Sequence, residues 1–224
     1  MHLHLLLIGA LVFALIAIAI KANNARQLKV IERYYFHKGI RQKLSQKYPH
    51  LTEPQLDLVF DGLRDYFCIC HMAKRHRVSM PSQVVDDAWH EFILSTRSYQ
   101  KFCNKALGRF LHHTPAVAMP TPTLAKDGIK RCWRLACALE QINPKKPERL
   151  PRIFAMDGLL NIDHGFNYQL DCKKNPAEGY CAGHIGCSSG CSGSTGDSND
   201  SSDSDSSGDA SGCSSGCGGG CGGD

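Results

Sequence analysis

The residues best suited to chemistry lie between Asp86 and His113. Asp86, Asp87, His90 and Glu91 fall in one short run, and His112 and His113 follow further along. On a helix, positions three and four apart share a face, so either aspartate could stand beside His90, and Asp87 precedes Glu91 by one turn. A turn that returned the His112–His113 pair to His90 would collect imidazoles and a carboxylate, to which Cys103 could add a thiolate. That donor set suits zinc or iron, and zinc is the expected ion for Asp87, His90, His112 and His113. The same groups could act as general acid and base near neutral pH. The plainer reading gives Trp89 and Phe92 to a core, lets His90 hydrogen-bond a carboxylate or carbonyl, and leaves His112–His113 to anchor a turn. The spacing differs from His-Glu-x-x-His, whose histidines lie one turn apart on a single helix.

A second group of donors sits at the far end of the chain. Of 12 cysteines, six lie from Cys181 onward, and Cys187, Cys191, Cys213, Cys217 and Cys221 recur at four-residue steps within two clusters. The unit Gly-Cys-Ser-Ser-Gly-Cys occurs at Gly186–Cys191 and again at Gly212–Cys217. Thiolates on a Gly/Ser chain can wrap zinc or cuprous copper, with His184 assisting, although the compact Cys-x2-Cys knuckle is absent. The plainer alternative is low-complexity sequence with free thiols. Residues 175–224 contain acidic side chains and no Lys or Arg, so the net charge of +5 hides a basic body and an acidic tail. Large apolar residues almost vanish there, and the tail, taken as residues 173–224, is expected to be disordered.

The elements that must position these donors read as helices. Leu5–Ile20 is free of charged side chains and approaches the length needed to cross a hydrocarbon core. No Lys or Arg precedes it, whereas Lys21, Arg26, Lys29 and Arg33 follow, which predicts N-terminus out and the rest of the chain cytoplasmic. The competing reading is a cleaved signal with Ala17-Ile18-Ala19 at its site, but a signal carries its cations ahead of the apolar run. Gln27–Tyr48 reads as a basic continuation of this helix, using Val30, Ile31, Tyr34, Tyr35 and Leu44 as contacts. Thr52-Glu-Pro-Gln55 starts a helix whose Leu56, Val59, Phe60, Leu63, Phe67 and Cys70 fall at helical spacing. Ser82 caps a helix through Leu94, and a further one over Thr96–Leu107 ends at Gly108 in a left-handed cap. Leu124–Ile142 and Pro151–Ile162 complete the set. The fold class is therefore all-α: a transmembrane anchor over residues 1–22, a helical domain over 23–172 and the tail. Cys68, Cys70, Cys132 and Cys137 read as small buried apolar residues.

The stretch Asp86-Asp-Ala-Trp-His-Glu-Phe-Ile-Leu-Ser-Thr-Arg-Ser-Tyr-Gln-Lys-Phe-Cys103, followed by Gly108-Arg-Phe-Leu-His-His-Thr-Pro115, resembles the glycine-rich domain-containing protein-like family. The resemblance implies a helical domain and brings no reaction, substrate or cofactor. The anchor and the Cys-rich tail depart from it.

Lys74, Arg75, His76 and Arg77 form a basic cluster, with Arg41, Lys43 and Lys47 near in sequence. They read either as a solvated face or as a surface resting on anionic headgroups. No nucleic-acid motif, phosphate loop, dinucleotide fingerprint or nucleophile elbow occurs, so neither nucleic acid nor an identifiable small-molecule substrate is expected. The leading expectation is a membrane-anchored interaction or scaffolding module, with a lipid partner through residues 5–20 and a protein partner beyond. A metal-handling protein for zinc or copper is the alternative, and a metallo-enzyme the third.

Overall fold

The computed structural model describes residues 2–114, 122–170, 180–181 and 185. The chain divides into Met1–Cys191 and Ser192–Asp224, and all the described residues lie in the first unit. They form α1 (His2–Glu32), α2 (Lys38–Lys47), α3 (Glu53–Met72), α4 (Gln83–Leu94), α5 (Thr96–Ala106), α6 (Pro122–Leu139), α7 (Arg152–Leu159), β1 (Tyr168–Gln169) and β2 (Tyr180–Cys181). The two short strands pair in parallel, and the fold is otherwise all-α, as the periodicity predicts. The tail cysteines Cys187, Cys191, Cys213, Cys217 and Cys221 lie outside the described residues.

α3 is the central helix and packs against α1, α2, α4, α6 and α7. Its apolar stripe, Leu56, Val59, Phe60, Leu63 and Phe67, is buried, and Cys70 with it. The local start signal holds: Gln55 Oε1 accepts from the Thr52 N–H at 2.8 Å, closing the first turn. Gly62 permits the close approach of α4 and α7, since a Cβ there would lie 2.6 Å from Met156 Cε and 3.1 Å from Val85 Cγ2. Around α3, Phe36, Phe67, Trp89, Phe92, Tyr99 and Phe102 form an aromatic core joined largely edge to face. Cys68, Cys70, Cys132 and Cys137 are buried, as expected. Burial pushes the Cys68 and Cys70 thiols up to about 12, so they stay protonated and inert near neutral pH.

α1 joins two unlike halves. Its first half carries fully exposed apolar side chains, Leu6 at 70% and Phe13 at 75%, and is long and apolar enough to cross a membrane, a test that a signal sequence also passes. Its second half turns inward and buries Ile31 completely.

The expected single helix from Gln27 to Tyr48 is instead broken between Glu32 and Lys38. Two tertiary contacts explain the break. Arg64 on α3 donates from Nε and Nη2 to the Tyr34 carbonyl, withdrawing it from a helical ladder, and Phe36 turns into the core to stack on Phe60. His37 then restarts the chain, its Nδ1 accepting from the Gly39 N–H at 3.0 Å as a side-chain cap for α2. Tyr35, expected as an apolar contact, is 70% exposed at this corner.

The basic residues also sort differently from their order in the chain. Arg41 pairs with Glu53 and Asp57, Lys43 with Glu91, and Lys47 with Asp87, so these three bind α2 to α3 and α4. The Lys74–Arg77 turn stays exposed and separate from them.

His71, near the end of α3, is buried, and burial assisted by Lys74 holds its imidazole below the ordinary value of 6.5. The unfolded chain therefore takes up this proton first. Stability is full above 6.5, falls as pH drops through 6.5 toward the folded value, and levels off below that. A His71→Gln chain should lose less stability than the wild type between pH 7.5 and 5 in thermal unfolding. Equal losses in the two chains would show that His71 does not set this slope.

Candidate metal centre

The donors of α4 are set by how its first turn is held. Ser82 caps the helix as its sequence position predicts, Oγ accepting from the Val85 N–H at 3.3 Å. A stronger anchor comes from α7. The Asp157 carboxylate, only 1% exposed, accepts from Ser82 Oγ at 2.7 Å, the Gln83 N–H at 2.7 Å, the Val84 N–H at 3.3 Å and the Phe166 N–H at 2.8 Å. A buried anion thus faces the positive end of the α4 dipole and satisfies N–H groups that the helix leaves free. Nothing near Ser82 in sequence signals Asp157, because 75 residues separate the two.

Opposite α4, the segment after α5 is fixed by a short relay. Gly108 reverses the chain at φ 66°, in the left-handed cap expected of it. Trp89 Nε1 donates to the Tyr99 hydroxyl at 3.2 Å, and that hydroxyl donates to the Leu111 carbonyl. Trp89 and Tyr99 are both core residues, so the irregular stretch from Arg109 to Thr114 is pinned beside α4. His113 lands with its ring 4.6 Å from Trp89 and 4.2 Å from His90.

Asp86, His90 and His113 thereby converge, with one ligand atom from each inside a 4.8 Å envelope. His113 Nε2 lies 3.0 Å from Asp86 Oδ1, and His90 Nδ1 lies 3.8 Å from Asp86 Oδ2. A tetrahedral ion with bonds of about 2.0–2.1 Å places its ligands about 3.3 Å apart, so rotamer adjustments of an ångström or so would close this set on zinc. Side-chain exposures of 21% for Asp86, 45% for His90 and 14% for His113 leave the cluster open to solvent on the His90 side.

The expected site residues sort unevenly. His90 and His113 come together. Asp87 is buried, accepts from the Tyr48 hydroxyl and pairs with Lys47 Nζ at 2.8 Å through Oδ2, which ties α2 to α4, while its Oδ1 lies 3.9 Å from His90 Nδ1. Burial, then the Asp87 hydrogen bond, raises the Tyr48 hydroxyl, keeping it a donor. Its neighbour Asp86, one step round the helix, is the carboxylate that meets His113. His112 is exposed, rests on Phe110 at 4.7 Å and is not part of the cluster. Cys103 is fully buried beneath Tyr99, its thiol raised by burial, and does not join the cluster.

A family model described as UCP032817-like matches residues 26–188. No curated protein and no solved structure matches the chain. This match corrects the resemblance to the glycine-rich domain-containing protein-like family. The residues that carried it, Trp89, Tyr99 and Cys103, are buried where two helices and a returning segment pack, and such positions attract aromatic and small residues in unrelated helical cores. Matched from the second half of α1 to beyond β2, the chain belongs to the UCP032817-like family.

Proposed function

We propose that this chain is a membrane-anchored module that holds a divalent transition-metal ion, of the zinc class, at the surface of its helical body. The observation that carries the reading is the convergence of Asp86, His90 and His113 from two separately anchored elements. Two imidazoles and one carboxylate leave a tetrahedral ion one position for water or an incoming ligand, the form of a site that exchanges metal or acts on a ligand rather than a closed structural one. The apolar half of α1 supports the anchoring, since an exposed surface of that size needs lipid around it. The cations after Ile20 support a cytoplasmic orientation of the body.

The test is elemental analysis of the full chain, purified in detergent without chelator, with its six cysteines from Cys181 onward replaced by serine. About one zinc per chain is the expected result, and loss of that zinc in His90→Ala at unchanged helicity ties it to the cluster. A folded body that retains no zinc after loading and gel filtration overturns the metal reading and leaves an interaction scaffold. Resistance of the vesicle-bound chain to alkaline carbonate, with its C-terminal end protected in sealed inverted topology controls, checks anchoring and orientation separately.

A further inference from the structure

Two adjoining cavities open beside the Lys74–Arg77 turn, one of about 270 Å³ and one of about 210 Å³, sharing Cys70 and Arg109 in their walls. The larger is lined by Arg75, Arg77 and Arg109, and the smaller by Lys74, Arg109 and two polar residues of α1, Asn24 and Gln27. No carboxylate lines either cavity. Six other basic residues of the body, Arg41, Lys43, Lys47, Arg64, Arg149 and Arg152, do have a carboxylate in contact. Arg109 donates to the Lys74 carbonyl and Lys74 Nζ donates to Asn24 Oδ1 at 3.4 Å, so the turn, the segment after α5 and α1 are drawn together around the smaller cavity.

The depth of that cavity along α1 identifies its occupant. Ile20 ends the uncharged run, and at about 1.5 Å per residue Asn24 stands about 6 Å beyond it and Gln27 about 10 Å. The headgroup layer on each side of a bilayer extends roughly 5–8 Å from the hydrocarbon edge. With α1 in the membrane, Asn24 stands within the headgroup layer and Gln27 just beyond it, so the smaller cavity opens where the headgroups meet water. We propose that the two cavities form a binding site for the headgroup of an anionic phospholipid, with Lys74 and Arg109 against the phosphate, and Arg75 and Arg77 extending the cationic wall. The proposal rests on the anchoring by α1 proposed above; His113 also lines the larger cavity, so the variants tested are confined to Lys74, Arg75, Arg77 and Arg109, none of which is a metal ligand.

The experiment uses the full chain, reconstituted in vesicles of equal parts phosphatidylcholine and phosphatidylglycerol, then taken into mild detergent for native mass spectrometry of retained lipid. Two cations at a headgroup correspond to a preference for the anionic lipid on the order of thirtyfold. The Lys74→Gln/Arg109→Gln chain should fall to near parity. Because Arg109 also braces the turn, Arg75→Gln/Arg77→Gln, which alters only exposed side chains, serves as the second variant and should lower the preference severalfold at unchanged helicity. Retention at parity by the wild type overturns the proposal. So does a thermal shift with inorganic phosphate, in phosphatidylcholine micelles, as large as that with phosphatidylglycerol, which would assign a free-anion site. Extraction of the chain from the vesicles by alkaline carbonate would instead remove the anchoring on which the proposal rests, a failure read separately from lipid selectivity.

Discussion

Replacing Asp157 with alanine should lower the stability of the helical body by about 3–5 kcal/mol, the range expected when a buried hydrogen-bonded charge network is broken. The carboxylate accepts four hydrogen bonds from Ser82, Gln83, Val84 and Phe166 in a site closed to water. Truncation removes the shared acceptor of the α4 first turn, and each buried donor left unmatched there costs about 1–3 kcal/mol before relaxation. Since whole domains are stable by only about 5–15 kcal/mol, this is one of the largest single losses available outside the apolar core. Asp157→Asn keeps the shape but loses the charge facing the α4 N-terminus and turns an amide N–H₂ toward backbone donors, so it should be intermediate. Ser82→Ala removes the local cap and one of the four donors to Asp157 while leaving the carboxylate on the backbone N–H groups, and should cost about 1–2 kcal/mol. Thermal and urea unfolding of the full chain in micelles, followed by circular dichroism, would rank the three. An Asp157→Ala chain within 1 kcal/mol of wild type would mean that α4 holds its first turn without this anchor.

The second large effect concerns metal affinity. On the proposed metal site, His113→Ala removes one of three ligands and should weaken zinc binding by more than the roughly 10–100-fold typical of losing a supporting residue. Tyr99→Phe should fall inside that 10–100-fold range. It leaves every ligand in place but releases the Leu111 carbonyl that sets the path of the segment carrying His113. His112→Ala should leave zinc affinity unchanged, because its ring lies against Phe110 and away from His90. Asp87→Asn should show itself mainly as lost stability, through Tyr48 and Lys47, with zinc still retained. Competition titration against a chromophoric zinc chelator measures the whole series. Equal losses in His112→Ala and His113→Ala would contradict the separate contacts of the two side chains.

These contrasts show where the sequence was informative. The starts of α3 and α4 and the end of α5 are written within four residues, in Thr52 with Gln55, in Ser82, and in Gly108, because capping is a local hydrogen-bonding matter. The buried stripe of α3 was equally legible, since helical periodicity alone assigns its face. The choice between Asp86 and Asp87 was not. Both lie within a turn of His90, and only the approach of Tyr48 and Lys47 from α2 claims one and leaves the other free to meet His113. The same holds for His112 and His113. The Trp89–Tyr99–Leu111 relay fixes the segment so that His113 meets Asp86 and His90 while His112 rests on Phe110. The break between α1 and α2 was invisible for a related reason, as its cause is Arg64, a residue of the next long helix. By itself, the sequence determined which segments are helical, where several begin, and which faces are apolar. The tertiary structure decided which polar side chains meet, because a carboxylate or imidazole accepts whichever partner the packing brings within about 3 Å.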